Sequence, residues 1–293
     1  MSATRRSRRP AEWVVAREAL PLLTDPRIRE VVTVPKILLV QLWPGYEDPA
    51  HIWQPVSDVP KFGVVPLLVG TLKVTLLAVA LALPLGIAAA VFVSQYASAR
   101  LREYVKPAIE LLAGVPSVVL GFFGLIVLAT AMQRLFGFDM RLNAAVAGVA
   151  LSLAVVPIVF TISEEALMAV PASYLEASLA LGARRWQTIL QVVLPAALPG
   201  IAAAAALGVG RAVGETMIVL MASGNASILS WSLAESARTI PATIASELAE
   251  VVFGDAHYTV LFALGTGLLA ITALINFAGD RMIGRLRARM GIS

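Results

Sequence analysis

The sequence predicts an all-α, polytopic helical membrane protein. Of its 293 residues, 58% are hydrophobic and only 14% are charged, and the mean hydropathy is +0.82. A soluble domain usually has about a quarter of its residues charged. The apolar residues also fall into long blocks, so the bilayer is the expected solvent. No long alternation of apolar and polar residues occurs, and we therefore expect no strands.

Five apolar blocks are long enough to cross a membrane, since a spanning helix needs about 20 mostly apolar residues. They are Val74–Val93, Leu111–Met132, Ala144–Ile162, approximately Ala196–Ala222, and Tyr258–Gly279. The first block can begin at Val64 if Lys73 extends its charged end outward from the apolar region. Residues 114–117, which read Gly-Val-Pro-Ser, predict a break or kink near the start of the second block.

Positive charges predict how these helices are oriented. Three basic segments, at residues 98–106, 184–185 and 281–289, are spaced so that all of them fall on one side of the membrane. Basic loops mark the cytoplasmic face, so residues 133–143 and 223–257 are expected to face outward. The long segment 223–257 fits either an amphipathic or re-entrant helix beside a cavity, or a solvated surface loop with a helix.

We expect three regions along the chain. Residues 1–62 form an N-terminal segment, residues 63–281 the transmembrane domain, and residues 282–293 a basic cytoplasmic tail. Five spans with a cytoplasmic tail place residues 1–62 outside, although this segment begins with the basic stretch MSATRRSRRP. We interpret it as extracytoplasmic, or as the remnant of a longer N-terminal region with a leading helix.

The composition argues against several classes of function. There is no cysteine, and His51 and His257 are isolated in the sequence, so we expect no metal site and no cofactor. The pI of about 9.7 arises from basic ends and loops, and nucleic acid is not an expected partner. No phosphate-binding P-loop motif and no hydrolase motif occurs, so the chain is not expected to be an enzyme.

A spaced motif lies between the third and fourth blocks. It consists of Glu176-Ala177-Ser178, three residues, Gly182, nine residues, Val192, one residue, and Leu194-Pro195. This resembles the EAA loop of bacterial ABC importer permeases, with Ser178 and Val192 as conservative departures from Ala and Ile. Gly182 suits the turn between two short cytoplasmic helices, because glycine allows either the positive φ or the close approach that such a turn needs. The resemblance implies an elbow that docks on a separate ATPase; an ordinary amphipathic loop is the alternative.

Four further stretches are similar to the phosphate-specific branch of that family. They are IELLAGVPSVVLGFF, EALMAVPASYLEASLALGARRWQT, GRAVGETMIVLMASGN and RTIPATIASE, beginning at residues 109, 165, 210 and 238. They resemble PstC-type permease subunits more than the PstA-type partners, over roughly residues 61–280. The resemblance implies the helical importer-permease core in the bacterial inner membrane. It also implies a second permease subunit of PstA type, two ATP-binding subunits and an extracytoplasmic phosphate-binding protein.

Arg211 and Glu215, in the fourth block, are the candidate substrate-path residues. An arginine near the bilayer centre costs about 2.5–3.5 kcal/mol on insertion scales, so its presence indicates a function. Spaced four residues apart, the two are expected to share one helix face. A guanidinium matches phosphate oxygens, and a carboxylate can accept a hydrogen bond from protonated phosphate but repels a fully ionised anion. A self-neutralising structural pair is the alternative, and the family resemblance implies the translocation role.

Together these features predict a permease subunit of an ATP-driven phosphate importer that forms the substrate path and has no catalytic residues. A permease for another oxyanion, such as molybdate or sulfate, is the first alternative, and competition in uptake separates the two. An intramembrane enzyme needs converging ionisable groups at one depth, and only Arg211 and Glu215 qualify. A non-transport membrane scaffold is the third alternative, and it predicts intact transport after both motifs are disrupted.

Overall fold

The chain folds mainly into helices in a computed structural model that describes residues 37–43, 47–57 and 59–289. Five helices are long and apolar enough to cross a membrane, which confirms the predicted number of spans. They are α1 (Val65–Tyr96), α3 (Ser117–Phe136), α4 (Ala144–Met168), α6 (Arg185–Val213) and α9 (Ala256–Arg289). Residues 1–36 of the predicted N-terminal segment and residues 290–293 of the predicted tail lie outside the described residues.

Shorter elements connect these spans. They are the helices α2 (Ala99–Ala113), α5 (Ala172–Ala180), α7 (Met217–Ala222) and α8 (Ile240–Glu247), and the strands β1 (Trp53–Gln54) and β2 (Lys61–Phe62). The two strands pair antiparallel just before α1, so the prediction of no strands was wrong at this one place. Each strand has two residues, too few for the alternating pattern by which strands are recognised in a sequence.

Local sequence explains where the central helices begin. α1 has Pro66 in its first turn, where a missing N–H and a fixed φ are tolerated. α4 begins after Asn143, whose side-chain oxygen accepts a hydrogen bond from the N–H of Val146 at 3.0 Å. The first two N–H groups of the helix, those of Ala144 and Ala145, donate to backbone carbonyls of the segment 223–257. The start of α4 is therefore fixed by its own cap and by that segment.

α4 is the most buried of the five spans, and it packs mainly against α1 and α6. Small residues bring these helices close together: Gly148 lies against Leu77 of α1, and Gly86 lies against Val159 of α4. One apolar cluster fills the middle of this bundle. A second lies at the outer end between the β-hairpin, α1, α8 and α9, and a third at the opposite end around Phe160.

Two predicted span boundaries were wrong. The second span begins at Ser117 rather than Leu111, because Gly114 and Pro116 end α2 and separate it from α3. Leu111 belongs instead to the amphipathic α2 and is exposed. The fourth span begins at Arg185 rather than near Ala196, because the helix that follows the predicted cytoplasmic turn continues without interruption into the span.

Helices also form in the long segment between the fourth and fifth spans and at the C-terminal end of the described residues. The outer segment 223–257 contains α8, whose first residues, from Ile240 to Thr243, are buried against neighbouring helices. A helix fits both alternatives for this segment, and its buried first residues favour the one in which the helix packs within the protein. At the C-terminal end, α9 continues as one helix through Arg289, so residues 282–289 of the predicted basic tail are helical.

Candidate functional site

Arg211 lies in the last turn of α6, which ends at Val213. Gly214 caps the helix, and the chain turns before α7 begins at Met217. The predicted fourth span is therefore discontinuous, and Glu215 lies in the break. The expectation that both charges occupy one helix face was wrong, because the low helix propensity of glycine favours ending the helix between them.

The break lies near the middle of the bundle. Three residues before Arg211, Gly208 packs against Val155 and Val159, which are close to the midpoint of α4. The residue just before Arg211 lies against the side-chain oxygen of Asn276, an exposed residue of α9. Discontinuous membrane helices near the midplane are a common way to build a substrate site, because the interrupted backbone is tolerated only beside protein or water.

Arg211 and Glu215 form an ion pair in which the two side chains differ in exposure. Arg211 Nη2 lies 3.6 Å from Glu215 Oε2, and 51% of the arginine side chain is exposed against 5% of the glutamate side chain. Within the part of the chain that the structure describes, Glu215 is the only ion-pair partner of Arg211. A guanidinium has five N–H donors, and one carboxylate uses only some of them. The remaining donors of the half-exposed Arg211 are available to an anion.

The predicted turn between two helices is present at residues 172–195, which we call the elbow. Glu176, Ala177 and Ser178 lie on α5, and Gly182 follows with φ of +86°. A residue with a side chain is strained at this φ, so glycine is the residue that the turn needs. The N–H of Gly182 donates to the carbonyl of Leu179 at 3.0 Å, which closes the end of α5.

The elbow has an exposed tip and a buried base. Beside Gly182, the side chain of Leu181 is 90% exposed, and nothing lies within 4 Å of the position where a Cβ on Gly182 would stand. At the base, Leu194 packs into the apolar cluster around Phe160, whereas Pro195 is exposed. The exposed, partly apolar tip is available to another protein.

The structure also shows three charged groups whose importance the sequence did not reveal. The first is Glu164, a residue of α4 whose side chain is 3% exposed and which lies 2.9 Å from the ammonium of Lys106 on α2. The hydrogen bond to Glu164 raises the pKa of Lys106, and partial burial opposes that rise. This pair joins α2 to the predicted cytoplasmic end of α4.

The second charged group is Lys73 of α1. We expected its side chain to extend toward water, but it is buried, and its ammonium donates to the carbonyls of Ser230 and Ser232 at 3.0 Å each. The expectation was wrong because the folded outer segment covers this part of α1 and supplies the acceptors itself. Lys73 therefore attaches the outer segment to α1.

The third group is a cluster around Glu247 at the end of α8. Its carboxylate lies 2.7 Å from Arg238 Nη2 and 2.8 Å from His257 Nε2. The indole N–H of Trp53 donates to the same carboxylate at 3.0 Å. His257 was expected to be isolated, but the fold brings it to Glu247 because α9 begins beside the end of α8. Among the described residues no group of three potential metal ligands occurs.

Comparison with known proteins places this geometry in a family. Residues 82–292 match the family described as binding-protein-dependent transport system inner membrane component. The probable ABC transporter permease protein YqgH of Bacillus subtilis is 37% identical over 222 residues, covering 76% of this chain and 72% of that protein. The phosphate transport system permease protein PstC of Mesorhizobium japonicum is 36% identical over 258 residues, covering 82% and 78%.

The fold also matches a solved transporter. The crystal structure of a bacterial ABC transporter involved in the import of the acidic polysaccharide alginate superposes with a TM-score of 0.58 at 16% identity, covering 94% of this chain and 99% of that one. This likeness supports the fold alone. The family match and the relatives together carry the identification: the chain is a multi-pass membrane protein that belongs to the inner membrane components of binding-protein-dependent transport systems.

Proposed function

We propose that the chain is a PstC-type permease subunit of an ATP-driven phosphate importer in the bacterial inner membrane. The observation that carries the proposal is the half-exposed Arg211 at the break between α6 and α7, near the middle of the bundle. The similarity of the chain to the PstC protein of Mesorhizobium japonicum supports phosphate as the substrate. The match of the chain to a family of transport components supports a role in transport rather than a role as a scaffold.

Arg211 is proposed to replace part of the water around phosphate as the anion crosses the membrane. Bidentate hydrogen bonds from the guanidinium suit two oxygens of a phosphate. Glu215 lies behind Arg211 and is buried, so it can accept a hydrogen bond from the hydroxyl of a protonated phosphate. The same carboxylate repels sulfate, which has no proton to donate near neutral pH.

The elbow is proposed to couple this path to ATP hydrolysis on another chain. The docking surface includes Glu176 and Ala177 on α5 and the tip at Gly182, all of which are exposed. Ser178, Leu194 and Pro195 position that surface on α6. Because α6 is continuous from the elbow to Arg211, movement of the elbow displaces Arg211 and exposes it alternately to the two sides of the membrane.

The complete transporter is proposed to contain three kinds of partner. A PstA-type permease subunit forms the other half of the path, two ATP-binding subunits dock on the elbows, and an extracytoplasmic phosphate-binding protein delivers the substrate. The lipid bilayer covers the exposed apolar surfaces of the spans. No cofactor is required, because the proposed path relies on hydrogen bonds and charge from this chain and its partner permease.

ATP-dependent uptake of labelled phosphate into proteoliposomes tests the proposal. The vesicles contain this chain, a PstA-type partner, the ATPase and the binding protein. We expect uptake that excess unlabelled phosphate suppresses and that sulfate and molybdate do not. Suppression by sulfate or molybdate instead would assign the permease to that oxyanion, and intact transport after disruption of both the elbow and Arg211 would exclude a transport role for them.

The elbow is tested separately with Gly182→Arg. We expect this chain to insert at normal levels and to lose ATP-dependent uptake, because a bulky charged side chain at the tip obstructs docking and cannot readily adopt the positive φ. Binding of the ATPase to the permease in detergent should fall in parallel. Normal uptake by the Gly182→Arg chain would remove the elbow from the docking site.

A further inference from the structure

The predicted cytoplasmic end of α1 is held by two arginines from different parts of the chain. The last turn of α1, Phe92–Tyr96, is a π-helix, and the helix ends there. The final carbonyls of a helix have no partners within it and need other donors. Here the carbonyls of Val93 and Ser94 accept hydrogen bonds from Arg102, at 3.1 Å and 2.7 Å from Nη2. The next carbonyl, of Gln95, accepts from Nη2 of Arg185.

The two arginines make connections of different range. Arg102 is only nine residues from Val93, so its bonds fix the local turn between α1 and α2. Arg185 is 90 residues from Gln95 and is the first residue of α6, so its bond joins the elbow to α1. The guanidinium of Arg185 also lies 5.7 Å from the ring centroid of Tyr96, within the range of a cation–π contact.

The elbow moves Arg185 with it because its two arms are tied together. The hydroxyls of Ser178 on α5 and Thr188 on α6 are 2.9 Å apart and form a hydrogen bond. Thr188 is fully buried and Ser178 is partly buried, so this bond is partly shielded from competing water. A force on the tip at Gly182 is therefore transmitted to the first turn of α6, where Arg185 lies.

Apolar packing joins α1 to the elbow through Val93 and Val193, which belong to the buried cluster around Phe160, but a gap remains beside that contact. A cavity of about 160 Å³ lies between them, and its lining includes Gln95, Val170, Leu175 and Val193. Apolar contacts beside a cavity hold two elements less rigidly than close packing does. A directional bond across that joint therefore has a role that the surrounding packing does not fulfil.

We propose that Arg185 is a positioning residue that makes the end of α1 follow the elbow during the transport cycle. This rests on the proposed function, since it assumes that an ATPase moves the elbow. Arg211 sits at the far end of α6, and α1 packs against both α4 and α6. By joining the end of α1 to the first turn of α6, Arg185 allows one displacement of the elbow to move α1 and α6 together.

The test uses the complete transporter in proteoliposomes and compares Arg185→Ala with Arg100→Ala. Arg100 is an exposed arginine of α2 on the same side of the membrane, so its replacement removes the same charge there. Phosphate uptake and ATP hydrolysis are measured on the same preparation, and binding of the ATPase is measured in detergent. We expect Arg185→Ala to bind the ATPase and hydrolyse ATP normally, while phosphate transported per ATP falls about fivefold or more.

The conservative variant Arg185→Lys provides a second readout. Lysine retains one donor for the Gln95 carbonyl, and we expect it to restore most of the transport per ATP. Unchanged transport per ATP in Arg185→Ala would overturn the proposal, and so would a loss equal to that of Arg100→Ala. Loss of ATPase binding by Arg185→Ala would also overturn it, by placing Arg185 in the docking surface and leaving the elbow assignment intact. Failure of the elbow itself is recognised independently, by normal uptake in Gly182→Arg.

Discussion

Arg238 and Glu247 form a tight ion pair near the outer end of the helices, whereas Arg211 and Glu215 form a loose one at the break between α6 and α7. In the outer pair the charged atoms are 2.7 Å apart and the side chains are 16% and 12% exposed. Its carboxylate also accepts from Trp53 and His257, so its hydrogen-bonding capacity is largely used. In the pair at the break, the distance is 3.6 Å and the arginine is half exposed.

The difference separates two uses of the same residue types. A charge pair that is mostly buried, with a carboxylate held by several donors, stabilises one arrangement, and removing either partner leaves the other uncompensated. A pair whose arginine faces open space contributes little to stability, because water competes for the guanidinium. Retaining such an arginine within the membrane indicates a role outside folding. The comparison thus favours a structural role for Arg238 and Glu247 and a substrate role for Arg211.

Removing the charge of Arg211 is the strongest test of this contrast. We expect Arg211→Gln to abolish phosphate uptake while the ATPase still binds the elbow, because no cation remains to replace the water around phosphate. The single variant also leaves Glu215 unpaired, which by itself repels an anion. ATP-dependent uptake of labelled phosphate at matched expression measures the effect.

The double variant Arg211→Gln, Glu215→Gln resolves that ambiguity. It removes both charges and keeps two polar side chains of similar size, so a purely structural pair is largely replaced. Continued loss of uptake is expected if Arg211 meets the substrate. Substantial phosphate uptake by the double variant would exclude that role and would make the two Arg–Glu pairs equivalent.

The free energy of unfolding should depend more on the outer pair than on the pair at the break. Glu247→Gln leaves the mostly buried Arg238 without its counter-charge and weakens the contacts of Trp53 and His257. We expect a loss of about 3–5 kcal/mol in the free energy of unfolding, as for other buried pairs that lose one partner. Glu215→Gln, the matched control, should cost less than about 1 kcal/mol because its partner is half exposed. Thermal unfolding in detergent compares the two, and equal losses would contradict the contrast.

Lys73 extends the contrast to a buried charge whose ammonium donates to backbone carbonyls. Lys73→Met leaves the carbonyls of Ser230 and Ser232 without their donor, at a cost of about 1–3 kcal/mol for buried groups left unsatisfied. We expect the outer segment to loosen, so that a cysteine introduced at Leu229 reacts faster with a maleimide in this natively cysteine-free chain. Leu72→Met, at an exposed neighbouring position, is the control. An unchanged labelling rate would show that other contacts hold the segment.

The sequence predicted what depends on composition and spacing. The five spans follow from apolar length, and the elbow turn follows from Gly182, whose positive φ the structure confirms. Arg211 was recognised because an arginine in an apolar block is costly wherever it lies. These features are local, so a single stretch of sequence contains the information that specifies them.

The features that were missed depend on contacts between distant segments. Lys73 and His257 were misread because their partners, Ser230 and Glu247, are placed by the fold of the outer segment. The sequence identified Arg211 and Glu215 within the fourth block but not the break after Val213 that separates them. A glycine in an apolar block can end a helix or pack within it, and the neighbouring helices decide between these outcomes.

The pair of Lys106 and Glu164 is the sharpest internal control, because it has the uneven exposure of the pair at the break but tight geometry. The lysine side chain is 34% exposed and the glutamate side chain 3% exposed, and their charged atoms are 2.9 Å apart. If uneven exposure alone marked a substrate contact, Lys106→Met would impair transport as Arg211→Gln does. We expect instead a loss of stability, because the buried carboxylate of Glu164 loses its counter-charge. Competition between oxyanions should be unchanged, because the ammonium is already engaged by Glu164.

The pH dependence of that loss identifies the pair. The hydrogen bond to Glu164 raises the pKa of Lys106 above its usual value of 10.5. A group whose pKa is higher in the folded state stabilises the fold fully at a pH below its pKa in the unfolded state. That stabilisation is lost as the pH rises through its pKa in the folded state. The difference in unfolding temperature between the unmodified chain and Lys106→Met should therefore be constant from about pH 6 to about pH 9 and shrink above pH 10.5. A difference that instead changes near neutral pH would show that another group carries the stabilisation, and Lys106 would no longer serve as the control for Arg211.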